Sequence, residues 1–304
     1  MGKLLVVGSL NMDTVVRVEN MPKPGETILG KEICYVPGGK GANQAYAMGK
    51  LGADVAMIGC VGKDENGQIL IENLKSVCVD TAAIQVIEKE PTGIAFITVE
   101  KTGQNSIIVL SGANFSLTEQ WIMQQQKYIE DCDVVIAQLE IPLQSVCRAV
   151  ELAKQKGKMV ILDPAPALGK LPKVLLQNVT LLKPNETELQ ALTGMPTNTE
   201  QEIVLAANTL LKQGVEQIVV TLGEKGAVLV TKEGFRSFPA KKVKAVDTTA
   251  AGDTFMAALA LKLSENASIE EAVSFAMTAS FLAVTKKGAQ SSVPSYEEVC
   301  SMLR

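Results

Sequence analysis

The run Asp247-Thr248-Thr249-Ala250-Ala251-Gly252-Asp253-Thr254-Phe255 sets small residues and two carboxylates directly ahead of Met256-Ala257-Ala258-Leu259-Ala260-Leu261, an apolar helix-forming stretch. Small residues in the first turn of a helix leave successive backbone N–H groups open. With the positive end of the helix dipole, these make an anion pocket that suits a phosphate. Asp253 then lies inside that first turn, where a carboxylate beside a phosphoryl group can take the proton of an attacking hydroxyl. The same carboxylate can instead merely balance the helix dipole, and the run taken alone does not separate the two readings.

Gly38-Gly39-Lys40-Gly41-Ala42-Asn43 is a second candidate. It completes no dinucleotide fingerprint, because Gln44 stands where the third glycine belongs, and no Gly-Lys pair in the chain is followed by Ser or Thr as a P-loop demands. Its glycines let a small polyhydroxylated ligand approach the backbone, with Lys40 and Asn43 as donors; a plain glycine-rich turn into a helix is the alternative. Asn11 and Asp13 follow the first apolar run, where a carboxylate can bridge two adjacent hydroxyls or simply form a turn. Asn185-Glu186-Thr187-Glu188 reads as a capping box, or as oxygen ligands for a hard cation near phosphates. Glu140, Asp163, Thr221, Gly223 and Gly226 also stand just after apolar runs, where ligands of open α/β sheets bind.

These residues need a scaffold, and the composition supplies one. The 304 residues are 47% hydrophobic and 20% charged, globular proportions that allow two domains or one large one. A net charge of -4, from 29 Lys+Arg against 33 Asp+Glu, offers no basic field for nucleic acid or anionic lipid. The count of 0 His removes Ser-His-Asp and Cys-His nucleophiles, two-His zinc sites and imidazole shuttles. The 6 cysteines form no C-x-x-C pair and read as buried thiols. The N-terminal residues resemble no signal peptide, and the most apolar stretch, 272–285, is too short and too rich in Ser and Thr to span a bilayer. A cytoplasmic protein is expected.

Short Val/Ile/Leu runs at 4–7, 55–58, 134–139, 159–162, 181–182 and 218–221 predict strands buried on both faces. Helical patterns at 41–51, 65–76, 144–156, 199–213, 251–263 and 269–285 alternate with them. This is the rhythm of one doubly wound α/β domain over 1–304, with a mostly parallel sheet flanked by helices. Two segments, 14–36 and 93–110, break the rhythm and read as a small antiparallel β lid over the core. Its edges need cover, which docking of two lids in a homodimer would provide.

In order and spacing, these residues resemble the ribokinase, or PfkB, family of carbohydrate kinases. The matching motifs are Gly8-Ser9-Leu10-Asn11-Met12-Asp13, the 38–43 run, Gln138-Leu139-Glu140, Asp163-Pro164-Ala165-Pro166, 184–188, Thr221-Leu222-Gly223, 247–255 and Thr285-Lys286-Lys287-Gly288-Ala289-Gln290. Together they span nearly the whole chain. The resemblance implies ATP-dependent phosphorylation of D-ribose at its 5-hydroxyl, giving ribose 5-phosphate and ADP. It implies that Asn11, Asp13, Gly39, Lys40, Asn43 and Glu140 hold the sugar, that Asp253 is the base, and that Ala250, Ala251 and Gly252 form the anion hole. It sets Asn185 and Glu188 near Mg²⁺, and Asn185, Thr221, Gly223, Gly226 and Gly252 near the nucleotide. It also implies a K⁺ site at Asp247, Thr249, Ala283, Lys286, Gly288 and Ser292, acting largely through carbonyl oxygens.

Two departures stand out. Family members often read Gly-Ala-Gly-Asp before the base, where this chain has Ala250, and often carry an Asn near adenine, where it has Met277. Related readings are a kinase for 2-deoxyribose, a fructose phosphate or adenosine, and, from another class, a silent sugar-binding regulator. A nicotinamide oxidoreductase lacks its fingerprint here.

Overall fold

The apolar runs at the centre of the chain pair side by side because both of their faces are buried. In the computed structural model, which describes residues 2–240 and 245–303, Leu4 and Val6 enter one hydrophobic cluster, while Leu5 and Val7 enter the other. Alternation along a strand aims successive side chains at opposite faces, so an unbroken apolar run is what a sheet covered on both sides requires.

In chain order the elements begin with β1 (Lys3–Val7), β2 (Asn11–Val18), β3 (Glu32–Gly38), α1 (Lys40–Lys50), β4 (Asp54–Gly62) and α2 (Glu65–Lys75). They continue with β5 (Ile84–Ile87), β6 (Gly93–Glu100), β7 (Asn105–Leu110), α3 (Glu119–Gln124), α4 (Gln126–Asp131), β8 (Val134–Ala137) and α5 (Leu143–Gln155). Next come β9 (Met159–Leu162), α6 (Lys173–Leu176), β10 (Leu181–Leu182), α7 (Glu186–Thr193), α8 (Glu200–Leu211) and β11 (Gln217–Thr221). The chain closes with β12 (Gly226–Thr231), β13 (Gly234–Pro239), α9 (Ala251–Ser264), α10 (Ile269–Val284) and α11 (Tyr296–Leu303).

The large sheet has the order β13-β12-β11-β10-β9-β8-β1-β4-β5. It is parallel from β5 to β11, and β12 and β13 extend it as an antiparallel hairpin. Helices α1, α2, α9, α10 and α11 cover one face, and α3 to α8 cover the other. The doubly wound expectation holds, and the six predicted helices form with ends displaced by a residue or two. Helices α7, α8 and α10 start at full capping boxes on Asn185, Thr199 and Ser268. Strand β4 runs four residues beyond the predicted end, and β8 stops at Ala137, where Gln138 turns away from the ladder.

A separate four-stranded sheet has the order β3-β2-β6-β7. Its outer pairs, β2 with β3 and β6 with β7, are antiparallel as expected, and they meet through a parallel β2–β6 pair. It is longer than the 14–36 segment suggested, since β2 already begins at Asn11. Among the cysteines the buried expectation is corrected: Cys60 and Cys132 are buried, Cys34, Cys147 and Cys300 only partly so, and Cys78 is exposed. Among the described residues no helix is long and apolar enough to cross a membrane.

Candidate active site

From β1 the chain steps to β4 and β5 on one side, then crosses to β8 and the remaining strands on the other. The carboxyl ends of β1 and β8 therefore flank a topological switch point, the place where such sheets bind ligands. After β1, Gly8 and Ser9 pass directly beneath the first turn of α1. A Cβ on Gly41 would lie 2.6 Å from the Ser9 amide nitrogen and 2.7 Å from the Gly8 carbonyl carbon. Both neighbours are backbone and cannot swing aside. Gly41→Ala is expected to destabilise the protein by about 1–3 kcal/mol through overpacking, read as a lowered denaturation midpoint. Gly39 needs its glycine for a second reason, a positive φ of 86°.

Asn11 and Asp13 lie on β2 itself, so neither is a turn residue. The buried Asn11 side chain accepts from Asn114 Nδ2 at 2.8 Å, and Asn114 also pairs with both backbone groups of Leu10. Glu140 accepts from Ser9 Oγ at 2.5 Å and from the Lys40 amide at 3.1 Å. Burial first, then the charges of Glu140 and Asp253, push the Asp13 carboxyl up to about 7. For Lys40, burial opposes the charge, but Asp253, Asp163, Glu140 and Glu188 together outweigh it and hold the ammonium protonated well above its usual range. Asp13, Lys40, Glu140 and Asp253 thus share one polar chamber.

Asp253 is buried in the first turn of α9. Its Oδ2 accepts from Asn43 Nδ2 at 3.1 Å and its Oδ1 from Gln44 Nε2 at 3.0 Å. Each amide is itself oriented by a glutamine. Gln290 Nε2 donates to Asn43 Oδ1 at 3.0 Å, and Gln138 Nε2 donates to Gln44 Oε1 at 2.6 Å. With their oxygens occupied, Asn43 and Gln44 can only turn N–H groups toward Asp253, which fixes the carboxylate's orientation. Gln44 also donates to Asp163 Oδ2 at 3.0 Å.

The anion pocket differs in one group from the expected set. The Ala251 amide donates to the Thr248 carbonyl at 3.2 Å, because the turn into α9 closes there. Among the described residues the amides of Ala250, Gly252 and Asp253 have no hydrogen-bond acceptor in the protein. The open donors are therefore these three, with Asp253 contributing its own N–H. Ala250, where the family often has glycine, takes a left-handed φ of 56°, a conformation that costs an L-residue about 1–2 kcal/mol.

Asn185 caps α7: its side chain accepts from the Glu188 amide, and Glu188 Oε2 accepts from the Asn185 amide, both at 2.8 Å. The structural reading of this motif holds, and among the described residues Glu188 Oε1 takes no hydrogen bond beside the Oε2 one. Burial and then Asp163 raise the Glu188 carboxyl above its ordinary range, against the pull of Lys183 and Lys40. Thr221 bridges to Asn185, bringing the end of β11 beside α7. Gly223 opens the short turn after it, facing empty space, whereas Gly226 starts β12 with a φ of 111° against the Phe238 carbonyl and is explained by the hairpin.

The turn carrying Asp247 and Thr249 meets the end of α10, which carries Ala283, and the loop after it, which carries Lys286 and Gly288. Asp247 accepts from Thr249 Oγ1 at 2.6 Å, from the Thr249 amide at 2.9 Å and from the Gly288 amide at 3.0 Å. Burial works against its charge, but these hydrogen bonds prevail and hold the carboxyl below its ordinary range. The Lys286 ammonium turns away to Glu298 at 2.9 Å, its amide donates to the Ala283 carbonyl at 3.0 Å, and Ser292 Oγ donates to Ala289 at 2.7 Å.

Gln44, Gln138, Asn114 and Lys183 were not among the predicted site residues. Lys183 stands directly after a strand, so the strand-end rule could have found it, whereas Gln138 fell inside the predicted 134–139 run and follows β8 only in the structure. Gln44 and Asn114 carried no local signal, since they look like ordinary polar residues of a helix and a turn.

A doubly wound sheet with a polar chamber at its switch point and a carboxylate inside a helical anion pocket matches one family. The model for pfkB family carbohydrate kinases covers residues 1–296, and the chain belongs to that family. It is 42% identical over 300 residues to ribokinase from Haemophilus influenzae, covering 99% of this chain and 98% of that protein. Identity to deoxyribokinase from Salmonella typhi is 38% over 295 residues, covering 97% and 96% respectively. The structure of Arabidopsis thaliana ribokinase complexed with ribose and ATP superimposes with a TM-score of 0.94 at 38% identity, over 100% of this chain and 99% of that one.

Proposed function

We propose that this chain is an ATP-dependent ribose kinase that transfers the γ-phosphoryl group to the 5-hydroxyl of D-ribose, giving ribose 5-phosphate and ADP. One observation carries the reading furthest: Asp253 is a doubly amide-bonded carboxylate in the turn that exposes the three open amides. The full-length likeness to proteins named ribokinase supports the substrate. The sugar is held by Asn11, Asp13, Gly39, Lys40, Asn43 and Glu140, with carboxylates for vicinal hydroxyls and Lys40 and Asn43 as donors.

Asp253 takes the proton of the 5-hydroxyl as its oxygen attacks the γ-phosphorus. The new O–P bond forms, the bond to the β,γ-bridging oxygen breaks, and ADP leaves with that electron pair. Charge on the transferring group is met by the open amides of Ala250, Gly252 and Asp253. The small β2–β3–β6–β7 sheet acts as the lid, excluding water that would otherwise compete as the acceptor. Its exposed Ile33, Tyr35, Phe96, Ile107 and Ile108 need cover, and a second copy docking lid to lid provides it, making the enzyme a cytoplasmic homodimer.

The nucleotide lies over Thr221 and Gly223, with Met277 of α10 offering apolar contact to the base. The donor set fits Mg²⁺: the free oxygen of Glu188 is a hard ligand, and a cation would relieve the burial that raises this carboxyl. Phosphate oxygens and water must complete the shell, since among the described residues no group of three acidic or Cys side chains gathers. When bound, Mg²⁺ neutralises phosphate charge. The charged Asp247 and the carbonyl oxygens around Ala283 and Gly288 likewise suit K⁺, held against the anion pocket.

The test is ADP formation from ATP and Mg²⁺ with D-ribose, 2-deoxyribose, fructose 6-phosphate or adenosine, each in K⁺ and in Na⁺. Ribose-selective turnover raised by K⁺ is expected. Turnover with 2-deoxyribose alone would transfer the reading to the deoxyribokinase-like alternative, and none with any acceptor would leave a silent sugar binder.

A further inference from the structure

Lys183 follows β10 at the carboxyl edge of the sheet and is 4% exposed. Its ammonium meets Asp163 Oδ2 at 3.5 Å, with the two side chains 5% and 2% exposed. That is the outer limit of a charge contact, and Asp163 Oδ2 already accepts from Gln44, while among the described residues Asp163 Oδ1 has no hydrogen-bond partner. Among the described residues Asp163 is the one ion-pair partner of Lys183. The ammonium also points at the pocket: a Cβ placed on Gly252 would have the Lys183 Nζ as its nearest atom, at 3.7 Å, with otherwise open space.

As a purely structural ion pair this arrangement is poor. A helix N-terminus repels a cation, and a buried charge without full hydrogen bonding is costly. Both costs vanish if an anion sits between the ammonium and the open amides of Ala250, Gly252 and Asp253. Lys40 is already drawn by the charges of Asp253, Asp163, Glu140 and Glu188, whereas the Lys183 ammonium faces Gly252 itself.

Resting on the kinase reading above, we propose that Lys183 is a further catalytic residue whose ammonium binds an oxygen of the transferring γ-phosphoryl group, with Asp163 as its positioning residue. It donates hydrogen bonds and charge only. The 5-hydroxyl proton still goes to Asp253 and the electron pair of the broken bond to ADP.

The test compares wild type with Lys183→Met, each assayed with ribose, ATP and Mg²⁺, together with binding of ADP alone and of ADP with aluminium fluoride as a phosphoryl mimic. Loss of one such donor lowers turnover by about 10²-fold or more. Ribose KM and ADP affinity should stay within about threefold, while affinity for the aluminium fluoride complex falls in step with turnover. A structural role would not produce that split. Should Lys183→Met fail to fold, as judged by its melting curve, Lys183→Gln is measured in its place with the same expectation. Turnover within threefold of wild type, or equal loss of affinity for ADP and for the fluoride complex, overturns the assignment. If wild type itself phosphorylates no sugar, the kinase reading falls instead, which keeps the two failures distinct.

Discussion

Asp253→Ala should lose turnover by on the order of 10² or more, the range that a positioned general base supplies, while ribose and ATP still bind. The expectation rests on geometry. Asn43 and Gln44 aim N–H groups at the two carboxylate oxygens from 3.1 and 3.0 Å, and Gln290 and Gln138 lock both amides in that sense. The carboxyl group is thereby held in one orientation beside the open amides where the acceptor hydroxyl and the γ-phosphoryl group must meet. Removing it also strips two buried donors of their acceptor, which costs about 1–3 kcal/mol each unless water enters. Turnover is therefore measured well below the variant's own melting temperature. A correctly folded Asp253→Ala enzyme with near-wild-type turnover would remove Asp253 from the mechanism.

The second large effect is on pH. Burial, reinforced by Glu140 and Asp253, lifts the Asp13 carboxyl from 3.8 to about 7. Sugar hydroxyls donate to its ionised form, so sugar binding favours loss of the proton. Below pH 7 that proton must be removed first, and ribose KM is expected to rise about tenfold for each unit between pH 7 and 5, as a single-proton linkage requires. Calorimetry near pH 7, in buffers of different ionisation heat, should detect a proton released on binding. The sign for the free protein is opposite. A carboxyl whose pKa is raised by folding contributes stability that is fully present below its unfolded value and lost as pH rises through about 7. The melting temperature without sugar should therefore decline from pH 5 to 8, and added ribose should recover most at the alkaline end. Asp13→Asn should flatten both profiles and weaken ribose binding throughout; an unchanged slope would detach the titration from Asp13.

Most of the architecture was legible locally because its causes are local. Unbroken apolar runs marked strands buried on both faces, and Asn185 to Glu188 marked a helix start that the structure realises as a capping box. The β12–β13 hairpin escaped because β13 is largely exposed along one edge of the sheet and carries no clean alternation. The short helices α3, α4 and α6 offer too few turns for a period to register.

The sequence by itself determined which chemistry was available: no imidazole, a carboxylate in a small-residue helix start, and a glycine run with a lysine and an asparagine behind it. Folding decided what those groups do to one another. Asn43 and Asp253 stand 210 positions apart, yet their side chains share a hydrogen bond. Protonation near neutrality at Asp13, the locked amides on Asp253 and the Lys183 ammonium facing Gly252 all depend on burial and on groups delivered by other elements. Such long-range fields leave no mark on local spacing, because electrostatic and desolvation energies are set by distance in space rather than along the chain.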